Sequence, residues 1–235
     1  MKTRLLCVLL AVATGFSAWA DGGKIKVLVL TGGHEFKAAP FFEMFEENPE
    51  ITFTADKQIK AAEGYDRADL YSFDAVVLYD APRNITEEQK GRFLGLFDKG
   101  IGVVVLHHAY LAYPMWPEFG RIAGGQYIYA EGQLKAGLAS STYKGNVDIP
   151  VTVVDTHHPV TAGLSDFVLH DELYSNMHMI GDVTPLLKNG DELLAWTRME
   201  KNSRVVGTIV GHGCYSDPNF RKFLEQSIRW VAKGH

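Results

Sequence analysis

Residues 101–108 read Ile-Gly-Val-Val-Val-Leu-His-His. Through Leu106 the run is apolar without alternation, as in a strand covered on both faces, and such strands belong to parallel sheets flanked by helices. Two imidazoles follow where the strand stops. The upstream sequence repeats the same design. Lys24–Leu30 is a β-branched run closed by Thr31-Gly32-Gly33, which reads as a strand and its turn. Pro40 opens a helix carrying Phe41, Phe42, Met44 and Phe45, and Ile51–Thr54 is a short second strand. Ala75–Tyr79 is a third, wholly apolar. The next helix starts at the cap Thr86, with Gln89 at capping-box spacing, and ends near Lys99-Gly100.

Downstream, residues 113–146 mix Gly, aromatic and polar residues over a length too great for a simple connection, which predicts a lid or the wall of a pocket. Val147–Val154 and Leu193–Thr197 read as strands, Arg204–Val210 as the last clear strand, and Pro218–Lys233 as an amphipathic closing helix. Strands alternating with helices predict right-handed crossovers and an α/β fold. The expected architecture is flavodoxin-like, a doubly wound, mostly parallel sheet with helices on both faces. Ligands in such sheets gather at the carboxyl ends of the strands.

The amino terminus reads differently. Lys2 and Arg4 precede an apolar run from Leu5 to Phe16 and then Ser-Ala-Trp-Ala at 17–20. That is the pattern of a signal peptide, and the run falls short of the roughly 20 apolar residues a membrane span needs. Cleavage after Ala20 predicts an exported protein, periplasmic or extracellular, in which residues 21–235 form one domain with no membrane span. The formal charge of −5 becomes −7 without Lys2 and Arg4, with acids and bases mixed along the chain, which argues against a nucleic-acid partner. Of the 2 Cys only Cys214 remains after cleavage, so no internal disulfide can form and stability must come from the core.

The strand ends carry the chemistry. His34 lies just past the first strand, His107 and His108 past the fourth, and His212 past the last. Imidazole near neutral pH serves as base, acid or metal ligand, so convergence of several at one sheet edge marks a site.

The residues around these histidines resemble the trehalose-utilisation (ThuA-like) family, within the class I glutamine amidotransferase-like superfamily. The resemblance runs in order through Gly32-Gly33-His34-Glu35-Phe36, Val105-Leu106-His107-His108-Ala109, Trp116-Pro117-Glu118-Phe119 with Gly124-Gly125, and His158-Pro159-Val160-Thr161-Ala162-Gly163-Leu164. It continues through Asp171-Glu172-Leu173-Tyr174, Ala195-Trp196-Thr197-Arg198, Arg204-Val205 and Gly211-His212. Two departures stand out: Lys-Asn-Ser before Arg204 in place of a Gly-rich turn, and Gly213 where an acidic residue commonly follows His212. Amidotransferases carry a nucleophilic Cys on the turn after the central strand, where this chain has His107-His108, so a Cys-His hydrolase lacks its nucleophile.

The resemblance implies sugar chemistry, because the family accompanies oxidoreductases that make 3-keto glycosides. The implied activity is an exported lyase or hydrolase that abstracts the C2 proton of a 3-keto glycoside and expels the anomeric group, working with a sugar 3-dehydrogenase. His108 or His34 is then the base, with His212 and Arg198 holding the keto oxygen and Glu172 acting as acid or metal ligand. His107, Trp116, Glu118 and Tyr174 contact the sugar. No organic cofactor is expected. A divalent, zinc-like metal fits the N and O donors of His34, His108, His212 and Glu172, although no close-spaced ligand pair announces it. The alternatives are a non-catalytic carbohydrate-binding protein and a hydrolase using metal-bound water.

Overall fold

The structure, a computed structural model, describes residues 23–129 and 137–232. The expected leader at 1–20 and Lys233, the expected end of the closing helix, lie outside the described residues, as does part of the expected lid. In chain order the elements are β1 (Ile25–Gly32), α1 (Ala38–Glu46), β2 (Ile51–Gln58), β3 (Ala75–Asp80), α2 (Glu87–Asp98), β4 (Gly102–Leu106), α3 (Pro117–Ala123), β5 (Gly125–Gln126), β6 (Thr142–Val153), β7 (Phe167–Ser175), β8 (His178–Met179), β9 (Thr184–Asn189), β10 (Glu192–Glu200), β11 (Ser203–Thr208) and α4 (Pro218–Val231). No helix among the described residues is long and apolar enough to cross a membrane.

Nine strands form one sheet in the order β2-β1-β3-β4-β11-β10-β9-β6-β7. From β2 to β11 every neighbour is parallel. The crossover from β1 leads left to β2 and that from β3 leads right to β4, so right-handedness puts α1 and α2 on opposite faces. Side chains agree. Arg221 of α4 pairs with Glu43 and Glu47 of α1 on one face, while Phe93 of α2 meets Phe119 of α3 on the other at 5.7 Å between centroids. All six residues of β3 and all five of β4 are buried. At about 1.5–3 kcal/mol for each large apolar side chain, these two strands alone anchor the core. Thr86 caps α2 through the expected reciprocal pair with Gln89.

Beyond β11 the sheet turns antiparallel through β10, β9, β6 and β7. Two of these strands, β7 and β9, are not apparent in the sequence, and each hides for a physical reason. In β7 the inward-facing place after Leu169 belongs to Asp171, a carboxylate where the pattern wants an apolar residue. In β9 Pro185 counts against a strand reading. Part of the expected lid is ordered secondary structure, namely α3, β5 and the start of β6. Strand direction alternates across this half, so β7 runs toward the same edge as β1, β3, β4 and β11 and carries its second half there.

Candidate functional site

Three strand ends deliver the imidazoles. After β1 the chain passes Gly33, whose φ of +75° and whose close approach to β3 both demand glycine, since a Cβ would lie 2.6 Å from the Ala81 backbone. His34 follows, its Nδ1 2.8 Å from the Glu35 carbonyl oxygen. After β4 the chain enters a 3-10 turn at His107 with φ +34°. Successive residues of a continuing strand point to opposite faces; this left-handed residue breaks the alternation and leaves the His107 and His108 rings 4.9 Å apart. After β11, Gly211 turns at φ +112° against Phe220 and presents His212.

The four rings form one cluster. His108 lies 4.0 Å from His34 and 5.2 Å from His212 between centroids, and His107 lies 5.3 Å from His212. His34, His108 and His212 each offer a ligand atom within 4.8 Å of the others. His107 stands apart because both its nitrogens are engaged. Nδ1 donates to the Ile209 carbonyl oxygen at 2.6 Å, and Nε2 faces Glu172 Oε1 at 3.2 Å. A proton must therefore lie between His107 Nε2 and the carboxylate.

β7 supplies the acids. Asp171, buried, accepts hydrogen bonds from the backbone N–H of Gly211 (2.6 Å), His212 (3.1 Å) and Gly213 (2.8 Å) and from the Cys214 thiol (3.4 Å). It clamps the loop that carries His212. The same loop is held from β3, where Tyr79 donates to the His212 carbonyl oxygen at 3.2 Å and pairs with the Tyr215 hydroxyl at 2.7 Å. Tyr174 stacks on His107 at 4.1 Å.

Electrostatics separate these groups by role. Burial, reinforced by the neighbouring imidazoles His107, His34 and His212, drives the His108 pKa down to about 2, so its ring is neutral at any working pH. Burial and His107 also lower His212. Glu172 is held below the usual carboxylate range by its hydrogen bond to His107, against the opposing effect of burial. Burial and then Asp171 push the Cys214 thiol far up, leaving it a protonated core residue.

The family model described as ThuA, trehalose utilisation, matches residues 26–231. The chain belongs to the ThuA family. No protein among the curated ones matches it. Among solved structures it is similar to a ThuA-like protein of Parabacteroides merdae, with 24% identity over 90% of this chain and 91% of that one and a TM-score of 0.74. A ThuA-like protein of Bacteroides uniformis gives 23%, 92%, 95% and 0.67. A protein of Thermoplasma acidophilum described as a component of GMP synthase gives 14%, 88%, 96% and 0.55. These likenesses fix the fold as class I glutamine amidotransferase-like, and the ThuA description places the chain in a carbohydrate-related family.

Against this ThuA frame, the residues expected from the sequence divide in two. His34, His107, His108, Glu172, Tyr174 and His212 meet at the carboxyl edge. Trp116, Glu118 and Arg198 do not. Trp116 precedes α3 as its N-cap and is buried between helices, 5.6 Å from Phe93 and stacked on Phe119, so it offers no face to a sugar in this cluster. Glu118 is exposed and pairs with Arg121 at 3.5 Å. Arg198 pairs across β10 with Val205, and Val205 with Val103. That puts Arg198 four residues short of His107 along the strand direction, roughly 13 Å toward the amino edge. There it donates to the carbonyl oxygens of Arg121 and Ile180 and cannot reach a ketone at the histidines. Glu172 is not part of the three-imidazole group, which leaves its contact with His107 as its defining one. His158 shapes a turn, its Nδ1 accepting from the Val160 N–H at 3.1 Å.

Sequence reasoning misses Tyr79, Tyr215 and the clamp made by Asp171. It also misses a cleft of about 240 Å³ beside the end of β1, lined by Gly33, Gln58, Lys60, Arg83 and Asn84 among others. This cleft lies over the end of β1, between the segments that leave β2 and β3, next to the point where the direction of winding reverses, and such switch points are the usual place for a ligand in these sheets.

Proposed function

We propose that this ThuA-family chain is an exported carbohydrate-processing enzyme that cleaves 3-keto glycosides. The observation that carries the reading is the meeting of neutral imidazoles with the His107–Glu172 pair at the carboxyl edge. A ketone at C3 acidifies the C2 hydrogen. A base takes that proton, the C2–H electrons form an enolate on O3, and the enolate returns its electrons to break the C1–O bond. The products are an unsaturated keto sugar and the protonated leaving group, with water adding in a later step if the overall reaction is hydrolysis.

The geometry favours Glu172 as the proton carrier over the histidines. A ring as reluctant to accept a proton as His108 makes a weak base, whereas Glu172 is a carboxylate already and sits against a group that shares its proton. It takes the C2 proton and returns it to the departing oxygen. The polar cleft with Lys60, Arg83 and Asn84 suits sugar hydroxyls. The class of reaction that must supply the substrate is oxidation of a glycoside at C3, the work of a sugar 3-dehydrogenase.

The test is release of a chromogenic leaving group from a 3-keto glycoside by residues 21–235, beside the unoxidised glycoside. Release from the keto form alone, lost in Glu172→Gln, supports the reading. Equal release from both, or release untouched in the variant, rules out the elimination route through Glu172.

A further inference from the structure

Three strands that are strangers in sequence present one imidazole each to a common point, and the innermost makes no hydrogen bond to any described residue. His108 is 1% exposed, and neither Nδ1 nor Nε2 has a hydrogen-bond partner among the described residues. A buried imidazole with two idle nitrogens forfeits the hydrogen bonds both would make in water, a cost that calls for a missing partner. His34 is poised in the manner of a metal ligand. Its Nδ1 is spoken for by the Glu35 carbonyl oxygen at 2.8 Å, which fixes the proton there and leaves Nε2 bare, the usual outer-shell arrangement of metal-bound histidine. His212 completes the set on a loop held by Asp171 and Tyr79.

We infer that His34, His108 and His212 form a three-nitrogen site for a divalent first-row cation of the zinc type, with its remaining position left for substrate or water. The donor set decides the class. Magnesium and calcium seek oxygen ligands, while neutral imidazole suits zinc, cobalt and their neighbours. The ligand atoms, within 4.8 Å of one another, need to close toward the separation set by metal–nitrogen bonds of about 2.0–2.1 Å, and exposed His34 is free to make most of that movement. His107 is excluded as a ligand because the Ile209 carbonyl and Glu172 occupy both its nitrogens. In the proposed reaction, on which this role rests, the cation polarises the keto oxygen. The weak base Glu172 needs such an electrophile, and Arg198 is too far away to supply it.

The experiment is titration of the metal-stripped chain with Zn²⁺ and Mg²⁺ by calorimetry and with Co²⁺ by visible absorbance. The wild type is compared with His34→Ala, His212→Ala and His108→Ala, and with the outlying control His170→Ala. One Zn²⁺ or Co²⁺ per chain, no Mg²⁺, a low-symmetry Co²⁺ spectrum, and a loss of affinity in the cluster variants beyond the roughly 10–100-fold typical of outer-shell changes are expected. His34→Ala keeps the test informative if His108→Ala fails to fold, because His34 is exposed. Absence of binding, or binding equal in His34→Ala and His170→Ala, overturns the site. A stripped chain that cleaves keto glycosides at full rate sinks the catalytic role while the function stands. Three-histidine binding without any cleavage leaves the site standing and removes the function.

Discussion

Each half of the sheet buries an aspartate at its carboxyl edge, and the two are treated in opposite ways. Asp80, at the end of β3 in the parallel half, is 1% exposed and takes a hydrogen bond from Gln58. Burial outweighs the opposing backbone contact and the Gln58 bond, lifting its pKa to about 7. Asp171, on β7 in the antiparallel half, is met by three backbone N–H groups and a thiol. One carboxyl group keeps its proton to well above the usual carboxylate range inside the core, while the other organises the loop that bears His212. Burial alone therefore does not mark a functional carboxylate; what surrounds it does.

Removing the clamp has the largest expected effect. Asp171→Ala strands three N–H groups and lets the 211–214 loop drift, costing roughly 3–5 kcal/mol in urea denaturation and abolishing turnover. Retained turnover in a destabilised protein would make Asp171 a purely structural residue. Glu172→Gln, one position away, leaves the denaturation midpoint nearly unchanged and lowers kcat by about 10²–10⁴-fold, as loss of a proton-transfer group does. A loss of stability instead of rate would make its contact with His107 a packing feature.

Asp80→Asn reverses the sign. The folded protein keeps a proton on Asp80 that the unfolded chain releases above about pH 4, so this group lowers stability progressively as pH rises from about 4 to about 7. The variant is therefore more stable than wild type at pH 8, by at most about 4 kcal/mol, and the gap closes near pH 4. Denaturant midpoints measured across that range check it, and a pH-independent gap would mean that Asp80 is ionised in the fold. Arg198→Met gives the smallest effect: kcat/KM within about twofold of wild type, with a stability loss of about 1 kcal/mol from its two carbonyl contacts. A collapse of kcat/KM would extend the active region to the amino edge.

What the sequence reveals follows the same division. The parallel half announces itself because β3 and β4 are apolar throughout and stop at turn residues, so periodicity alone places His34, His107, His108 and His212 at one edge. Asp171 and Glu172 are visible only through the family resemblance, since β7 carries a carboxylate at an inward-facing position. Arg198 escapes correct placement because β10 is antiparallel. The far end of such a strand lies at the amino edge, and strand direction is not written in an apolar run. Trp116 escapes it because Pro117 begins a helix rather than a loop, and that helix turns the indole toward Phe93.

The clamp at Asp171 also sets a timetable. Its partners lie about forty residues further along the chain, and His107 reaches Glu172 across 65 residues. Loop closures of this span come late, after local helices and neighbouring strands have formed. The cluster therefore does not exist in a half-folded chain. Its assembly is among the last events of folding, and a spectroscopic cation bound there would report when the final strand docks.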